Sequence, residues 1–327
     1  MRVVITGESG FIARNLTAAF EKKGHTCVIL ENPNLNRLNK TGEVCVYRND
    51  AESWAWHLKN EKVDLVVHNA AVVGTDVVAL NPSESTLSNV TGTYNITRAC
   101  NVAKIPICYM GTTVIYDTAK YQDCDITEES ILNPTTFYGI QKLSGERLVM
   151  THANDWTVIR PLFAYGGVGD MNSLISKTVF SFREKRQKID MFLDPKKVKD
   201  YLHVSDYCNA VVMGCEDSNC LGNDYNVSAE TPHVVGTIMN MIQEILGADL
   251  SSVLKWHPET DYLGNHRLTS DKFRKATGWE PSLSLYQGIK KSVAEIMSDD
   301  TFFNPLVHLD EAKSRNVNLT DFYNSNI

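Results

Sequence analysis

The 327-residue sequence lacks the features of several large classes of protein. No run approaches the ~20 consecutive apolar residues that a membrane helix requires, and the N-terminal MRVVITGESG is too briefly apolar for a signal peptide. None of the eight cysteines forms a Cys-x-x-Cys pair, which argues against a zinc site and for free thiols in a reducing cytoplasm. The net charge of −7 argues against general nucleic-acid affinity, which depends on phosphate contacts. We therefore expect a cytoplasmic protein with no metal, nucleic-acid or membrane partner.

Short apolar strands alternate with helical stretches in the first half of the chain. The predicted strands cover 3–7, 27–31, 43–47, 64–70, 105–111 and 156–161, and the predicted helices cover 12–24, 51–60, 89–103 and a stretch from 138. Strands that alternate with helices favour a parallel sheet covered on both faces. We predict an α/β fold with a doubly wound parallel sheet.

A glycine-containing loop, TGESGFIA (6–13), lies between the first predicted strand and the first helix. Gly7 permits a tight turn, and Gly10 lets the backbone approach a pyrophosphate held at the helix N-terminus. Glu31 ends the second strand, where a carboxylate accepts hydrogen bonds from an adenosine ribose and repels a 2′-phosphate, which favours NAD over NADP. An ordinary surface glutamate is the alternative interpretation of Glu31.

Tyr138 and Lys142 stand four residues apart in FYGIQK (137–142), which places them on one face of a helix. Free tyrosine has a pKa of about 10 and is a poor base at neutral pH. A lysine ammonium and a nicotinamide cation would favour the phenolate, and lowering the pKa by about 3 units takes roughly 4 kcal/mol. Such a tyrosine can take a proton from a sugar hydroxyl as a hydride leaves the same carbon. A plain helix face is the alternative, and the glycine loop upstream favours catalysis.

Over residues 1–298 the sequence resembles the extended short-chain dehydrogenase/reductase family, in particular its NAD-dependent nucleotide-sugar epimerase/dehydratase group. The matching segments in chain order are TGESGFIA, HNAA (68–71), NVTGTYNI (89–96), GTTVIYD (111–117), FYGIQK, IRPLFAYG (159–166), KDYLHVSD (199–206) and TGWEP (277–281). The resemblance implies a role in carbohydrate biosynthesis, NAD as cofactor, a nucleotide-diphosphate sugar as substrate, and a homodimer. It also implies an NAD-binding Rossmann domain over 1–165 with a returning segment at about 200–230, a substrate lobe mainly over 166–298, and a polar tail of unknown role over 299–327.

The resemblance also implies roles for individual residues. Three are catalytic: Thr112 would hydrogen-bond the reacting hydroxyl, and Tyr138 and Lys142 would form the acid–base pair. Because Thr113 follows directly, the first assignment could shift by one, and both threonines could simply favour a strand. The implied cofactor contacts are Gly7, Ser9, Gly10, Phe11, Ile12, Glu31, Ala70, Ala71, Asn89, Tyr138 and Lys142. The implied substrate contacts are Thr113, Phe163, Asn172, Lys199 and Arg267.

Departures from the family pattern narrow the reaction. Family 4,6-dehydratases carry Asp-Glu where this sequence has Thr113 and Val114, and family decarboxylases also use the glutamate. The 3,5-epimerases use a cysteine at the position of Val114 and a histidine near Leu174, and both are missing here. Hydride transfer at one sugar carbon, usually C4, remains, by a C4 epimerase or a C4 dehydrogenase/4-ketoreductase. A looser likeness to a GDP-heptose 4-dehydrogenase makes the dehydrogenase a serious rival, and a non-catalytic NAD sensor or scaffold is the alternative from another class.

The substrate end departs from the pattern as well. Residues 177–199 hold eight basic and three acidic residues, and the resemblance implies that this stretch contributes to a diphosphate pocket. A solvated amphipathic helix is the alternative for Lys185, Arg186 and Lys188. Within this stretch, Lys199 stands where the family usually has an arginine, and it keeps the charge without the bidentate fork. Phe163 replaces a usual asparagine, and Glu259 replaces a diphosphate-binding arginine for which Arg267 could compensate.

Overall fold

The computed structural model describes residues 1–7, 10–28, 51–118, 120–122, 124–167, 169–170, 173–261 and 264–298. Ser9, Glu31, Asn172, the predicted strand at 43–47 and the tail at 299–327 therefore lie outside the described residues.

The largest sheet of the described chain is parallel throughout. Its six strands are β1 (Arg2–Ile5), β2 (Thr26–Val28), β3 (Leu65–His68), β4 (Ile107–Met110), β5 (Trp156–Pro161) and β10 (Asn223–Val227). Their order is β2-β1-β3-β4-β5-β10, so the chain runs outwards from β1 in both directions. All four residues of β3 and of β4 are buried, as expected of strands covered on both faces. This arrangement confirms the predicted fold class.

Helices cover the two faces of this sheet. They are α1 (Phe11–Lys22), α2 (Ala51–Asn60), α3 (Thr75–Leu80), α4 (Pro82–Thr86), a π-helical turn (Leu87–Gly92), α5 (Thr93–Ala103), α6 (Phe137–His152) and α8 (Val204–Glu216). On one face Val3 packs with residues of α1 and α8, and on the other Val4 packs with residues of α2 and α5. Adjacent strand residues thus enter opposite cores, since side chains alternate along a strand.

Smaller elements surround a separate apolar core in the second half of the chain. They are β6 (Phe163–Tyr165), α7 (Leu174–Arg183), β7 (Ile189–Met191), β8 (Val198–Lys199), β9 (Tyr201–His203), β11 (His233–Val234), α9 (Val235–Leu246), β12 (Leu254–Trp256) and α11 (Leu285–Ser298). The helix α10 (Asp271–Thr277) instead packs on the main sheet, where its Phe273 contacts Tyr225 of β10. The strands pair two by two, β6 with β9, β7 with β12 and β8 with β11. Apolar residues of α7, α9 and α11 fill this core. The exact division of the chain at residue 165 stays a prediction.

The carboxyl ends of the parallel strands meet at one edge of the main sheet. Gly7 follows β1, Ala70 follows β3 and Thr112 follows β4, so three predicted site residues lie along this edge. Such an edge is where open α/β sheets bind their ligands. Within the described ranges, no helix is both long and apolar enough to cross a membrane.

Candidate active site

The two glycines described after β1, Gly7 and Gly10, have the backbone geometry of a phosphate-binding turn. Gly7 has a φ of +77°, and a Cβ built there would lie 3.0 Å from the Cα of Ala70, so both conformation and space demand glycine. The amide of Gly10 donates to the Gly7 carbonyl at 2.9 Å and closes the turn. Gly10 caps α1 without a side-chain hydrogen bond, and no acidic residue lies in the first turn. The helix N-terminus therefore keeps donors and a positive end for an anion, which fits the pyrophosphate of NAD.

Thr6 fixes the approach of the β1 and β3 ends. Its buried hydroxyl accepts hydrogen bonds from the amides of Asn69 and Ala70 at 3.1 and 3.0 Å, and lies 2.9 Å from His68 Nδ1. Burial lowers the pKa of His68 to about 3, so this ring is neutral at physiological pH. Ala70 and the half-buried Ala71 thus lie beside the glycine loop, where the sequence places cofactor contacts.

Phe11 and Ile12 open α1 directly after this turn. Both are half-buried and pack against the core between the sheet and α8. Their side chains anchor the first turn of the helix, so their backbone amides are the groups available to a cofactor.

Thr112 and Tyr138 come together at the end of β4. Thr112 begins a short 3₁₀ turn at Thr113–Ile115, and its hydroxyl is hydrogen-bonded to the Tyr138 phenol. Tyr138 is the second residue of α6, whose start is capped by Thr136 through a 3.0 Å bond from the Gly139 amide. A Cβ at Gly139 would lie 2.9 Å from the Val114 carbonyl, so the residue after Tyr138 must be small for the helix to approach this close.

Lys142 lies one helical turn after Tyr138 and is 5% exposed. Its Nζ donates to the Met110 carbonyl at 2.7 Å and lies 4.2 Å from the centre of the Tyr109 ring. Burial lowers the pKa of Lys142 to about 7, and the carboxylate of Glu146 acts in the opposite direction. The charge of this lysine at neutral pH is therefore sensitive to its neighbours.

Burial acts against the phenolate form of Tyr138. Burial raises the pKa of Tyr138 to about 12, and the hydrogen bond from Thr112 offsets only part of that effect. The physical reason is that Lys142 directs its Nζ to the Met110 carbonyl, while burial penalises the phenolate. Reaching neutral pH from there takes roughly 7 kcal/mol of favourable interaction with the phenolate.

A row of alternating charges runs from Lys142 towards the surface, and the sequence did not predict it. Glu146, one turn beyond Lys142, accepts two hydrogen bonds from Arg160, at 3.0 and 2.8 Å. Arg160 also pairs with Asp224 at 2.6 Å, and Asp224 pairs with Lys272 at 3.0 Å. The Glu146 and Arg160 side chains are each 1% exposed, so the pair depends on mutual neutralisation.

Asn89 lies in the π-helical turn, and its side chain faces the loop after β3. Its Oδ1 accepts from the Val72 amide at 2.7 Å, and its Nδ2 donates to the Val72 carbonyl at 2.9 Å and to Gln141 at 2.9 Å. The side chain is thus committed to protein groups, so any contribution to cofactor binding acts through the position of that loop. Sequence reasoning missed Gln141, because no local pattern marks this glutamine as buried.

The predicted substrate contacts lie in different environments. Thr113 is 2% exposed, and the half-buried Phe163 ring lies 5.2 Å from His266 and 5.8 Å from Lys199 Nζ. Lys199 is buried and donates to Asp261 at 3.1 Å and to the Gly264 carbonyl at 2.6 Å.

Arg267 pairs with Asp125 at 3.2 Å. Both cations predicted to face a diphosphate therefore have carboxylate partners, and their role in substrate binding stays a prediction. The described residues gather no group of three His, Cys, Asp or Glu side chains that could hold a metal ion.

Comparison with known proteins gives one consistent result. The model of the NAD dependent epimerase/dehydratase family matches residues 3–228. The chain is 30% identical over 218 residues to a GDP-6-deoxy-D-talose 4-dehydrogenase of Aggregatibacter actinomycetemcomitans, which covers 64% of this chain and 69% of that protein. It is 23% identical over 335 residues to a dTDP-glucose 4,6-dehydratase of Mycolicibacterium smegmatis, which covers 96% and 98%.

A similar fold is found in a UDP-glucose 4-epimerase of Thermotoga maritima solved with UDP-glucose. The two structures superpose with a TM-score of 0.76 at 20% identity, over 90% of this chain and 98% of the other. The matched segment begins in β1 and ends after β10, so it contains the glycine loop, Thr112, Tyr138 and Lys142. The chain belongs to the NAD-dependent epimerase/dehydratase family of extended short-chain dehydrogenases/reductases, which act on nucleotide sugars.

Proposed function

We propose that this protein transfers a hydride between NAD and one carbon, C4, of a nucleotide-diphosphate sugar. The observation that supports this proposal is the contact of Thr112 with Tyr138 at the end of β4, one helical turn from Lys142. The product follows from the fate of the ketosugar: a C4 epimerase yields the isomer with no net redox change, and a C4 dehydrogenase/4-ketoreductase yields or consumes the ketosugar. The chemistry that bound NAD supplies is acceptance of a hydride from the sugar carbon.

In the proposed mechanism the three side chains divide the proton chemistry. The Thr112 hydroxyl orients the reacting sugar hydroxyl, and the Tyr138 phenolate takes its proton as the carbonyl forms. The Lys142 ammonium stabilises the phenolate, and Glu146 favours the charged form of that lysine. When the ketosugar is reduced, the Tyr138 phenol returns the proton to the new alkoxide.

In the family's 4,6-dehydratases, elimination of water uses an acid–base pair directly after the threonine, and this chain has no such pair at those two positions. The two residues after Thr112 are Thr113, which is buried, and Val114, whose side chain carries no proton. Because family members include 4,6-dehydratases, the exclusion of dehydration is part of the proposal and is open to a direct test.

A substrate panel tests the proposed reaction. The purified protein is mixed with NAD or NADH and with UDP-, GDP-, CDP- or dTDP-linked sugars, and both the absorbance at 340 nm and the product mass are followed. We expect one nucleotide class to give a C4 isomer or a 4-ketosugar of unchanged carbon skeleton. A product that has lost water would contradict the proposal.

The Tyr138→Phe substitution tests the assigned base. It should lower turnover by about 10²–10⁴-fold, because the ring remains and the proton acceptor is lost. NAD binding should be retained, as measured by titration of the cofactor-free protein. Tyr286→Phe is the matched control, since that phenol is exposed and bonds only to Glu244 at 3.0 Å. Turnover by the Tyr138 variant close to that of the control would remove Tyr138 from the mechanism.

A further inference from the structure

Gln141 is a buried amide on the catalytic helix, directly before Lys142. It is 3% exposed, and its Nε2 donates to the hydroxyls of Ser85 and Thr86, both at 3.0 Å. Its Oε1 accepts from Asn89 Nδ2 at 2.9 Å. Three hydrogen bonds thus attach one side chain of α6 to α4 and to the π-helical turn. A buried glutamine with this set of partners is not a solvated helix face.

The direction of these hydrogen bonds is fixed by the backbone. The Val72 amide can only donate, so it faces Oδ1 of Asn89, and the Asn89 Nδ2 must face Oε1 of Gln141. The hydroxyls of Ser85 and Thr86 donate to the Pro82 carbonyl at 3.1 and 2.7 Å and therefore accept from Gln141. An amide is required at position 141, because a carboxylate could not donate to these two hydroxyls.

The far end of this chain of bonds is the loop after β3. Asn89 binds both the amide and the carbonyl of Val72, which fixes that peptide segment from two sides. Two residues earlier, the Ala70 amide donates to Thr6 at 3.0 Å, and the Ala70 Cα limits the space beside Gly7. A shift of Val72 therefore changes the loop that lies against the phosphate-binding turn.

We propose that Gln141 is a positioning residue for the cofactor, which holds loop 70–73 in place through Asn89. The proposal rests on the function proposed above only in that the loop contacts NAD. Gln141 would thus connect α6, the helix that carries Tyr138 and Lys142, to loop 70–73. The π-helical turn supports the proposal, because such turns are rare and concentrate at functional sites, and Asn89 is presented from this one.

Replacement of Gln141 by methionine tests the proposal, since methionine has similar length and makes none of these hydrogen bonds. The buried Nδ2 of Asn89 loses one partner, and we expect NAD to bind about tenfold more weakly, as for the loss of one buried hydrogen-bond partner. The measurement is a fluorescence titration of the cofactor-free protein with NAD.

Two further variants at this position separate size from hydrogen bonding. Gln141→Glu should weaken binding at least as much as Gln141→Met despite its equal size, whereas Gln141→Asn, which keeps the amide, should weaken it less. Ser144→Ala is the control on the same helix, because its exposed hydroxyl bonds only to the Ile140 carbonyl, and it should not change NAD binding.

A double-mutant cycle separates positioning from a general loss of stability. If Gln141 acts through Asn89, the double variant Gln141→Met/Asn89→Ala should bind NAD no more weakly than Asn89→Ala alone. The proposal would be overturned if the two substitutions weakened NAD binding independently, so that their fold-losses multiplied in the double variant. It would also be overturned by a Gln141→Met protein that melts at a lower temperature but binds NAD like the wild type. If Gln141→Met fails to fold, Gln141→Glu and Gln141→Asn decide it by the same titration. The titration needs no sugar nucleotide, so a failure of the proposed reaction would leave this result standing, and the reverse also holds.

Discussion

Lys142 should make the stability of the cofactor-free protein depend on pH in a way that one substitution removes. Burial lowers its pKa from the ordinary 10.5 to about 7. Between these two pH values the lysine of the unfolded chain is protonated and that of the folded chain is not, so the unfolded state binds more protons. Stability therefore rises with pH across this window and falls as pH drops towards 7, by about 1.4 kcal/mol per pH unit.

The Lys142→Met variant isolates this contribution. Methionine does not titrate, so the difference in free energy of unfolding, wild type minus variant, should grow by about 1.4 kcal/mol per pH unit from pH 7 to pH 10, roughly 4 kcal/mol in total. Loss of the hydrogen bond to the Met110 carbonyl adds a constant offset that does not depend on pH. The assay is urea unfolding of both proteins at pH 7, 8, 9 and 10, with free energies extrapolated linearly to water.

The same series of urea unfolding measurements supplies the control and the result that would refute the reasoning. Lys59→Met changes an exposed lysine of α2, and its difference from wild type should stay constant across the series. If the free energies of unfolding of wild type and Lys142→Met change with pH in parallel, Lys142 stays charged in the folded protein at every pH used. Burial would then not be the dominant effect on the pKa of Lys142.

Two further substitutions test other parts of the site. Gly7→Ala should weaken NAD binding and lower the melting temperature, because the new Cβ meets the backbone of Ala70 at 3.0 Å. Gly24→Ala is its control, since Gly24 also has a positive φ but has no neighbouring atom within 4 Å of the new Cβ. This control should change stability only and leave NAD binding intact. Glu146→Gln removes the carboxylate that favours the charged form of Lys142, so the alkaline limb of the activity profile should move to lower pH. It also removes one of the two carboxylate partners of Arg160, which keeps Asp224, and should lower stability by about 1–3 kcal/mol in urea unfolding. These expectations would be contradicted if the alkaline limb of the activity profile of Glu146→Gln stayed in place, or if Gly24→Ala weakened NAD binding as strongly as Gly7→Ala.

Local patterns predicted five of the six strands of the main sheet, β1 to β5, and the helices α1 and α6 that position the site, whereas β10 was not predicted. Strand 3–7 was predicted from an apolar run and forms β1, between β2 and β3, and the helix predicted from residue 138 forms α6. The glycine at position 7 was predicted from the turn between strand and helix, and its φ of +77° is the conformation that glycine tolerates. These features have causes within a few residues of chain, which one sequence displays.

Contacts between distant parts of the chain were not predictable in this way. The sequence showed Lys199 only as a cation in a basic stretch, whereas the fold brings Asp261, 62 residues away, to 3.1 Å from its Nζ. The bond between Asn89 and Gln141 spans 52 residues and has no periodic signal. The sequence also did not show that burial opposes the phenolate form of Tyr138, because burial is a property of the whole fold.

The helix predicted over 89–103 begins with an irregular turn that the sequence did not predict. Its first turn is the π-helical segment Leu87–Gly92, which hydrophobic spacing cannot distinguish from a regular helix. A π-helical turn holds an extra residue relative to an α-helical one, because its hydrogen bonds span five residues. Deleting one residue there would restore a regular helix and rotate everything before it by about 100° around the axis. The length of this segment is therefore as constrained as its composition: alignments of related chains should accept substitutions at its outward positions, but an insertion or deletion between 87 and 92 would turn Asn89 away from Val72.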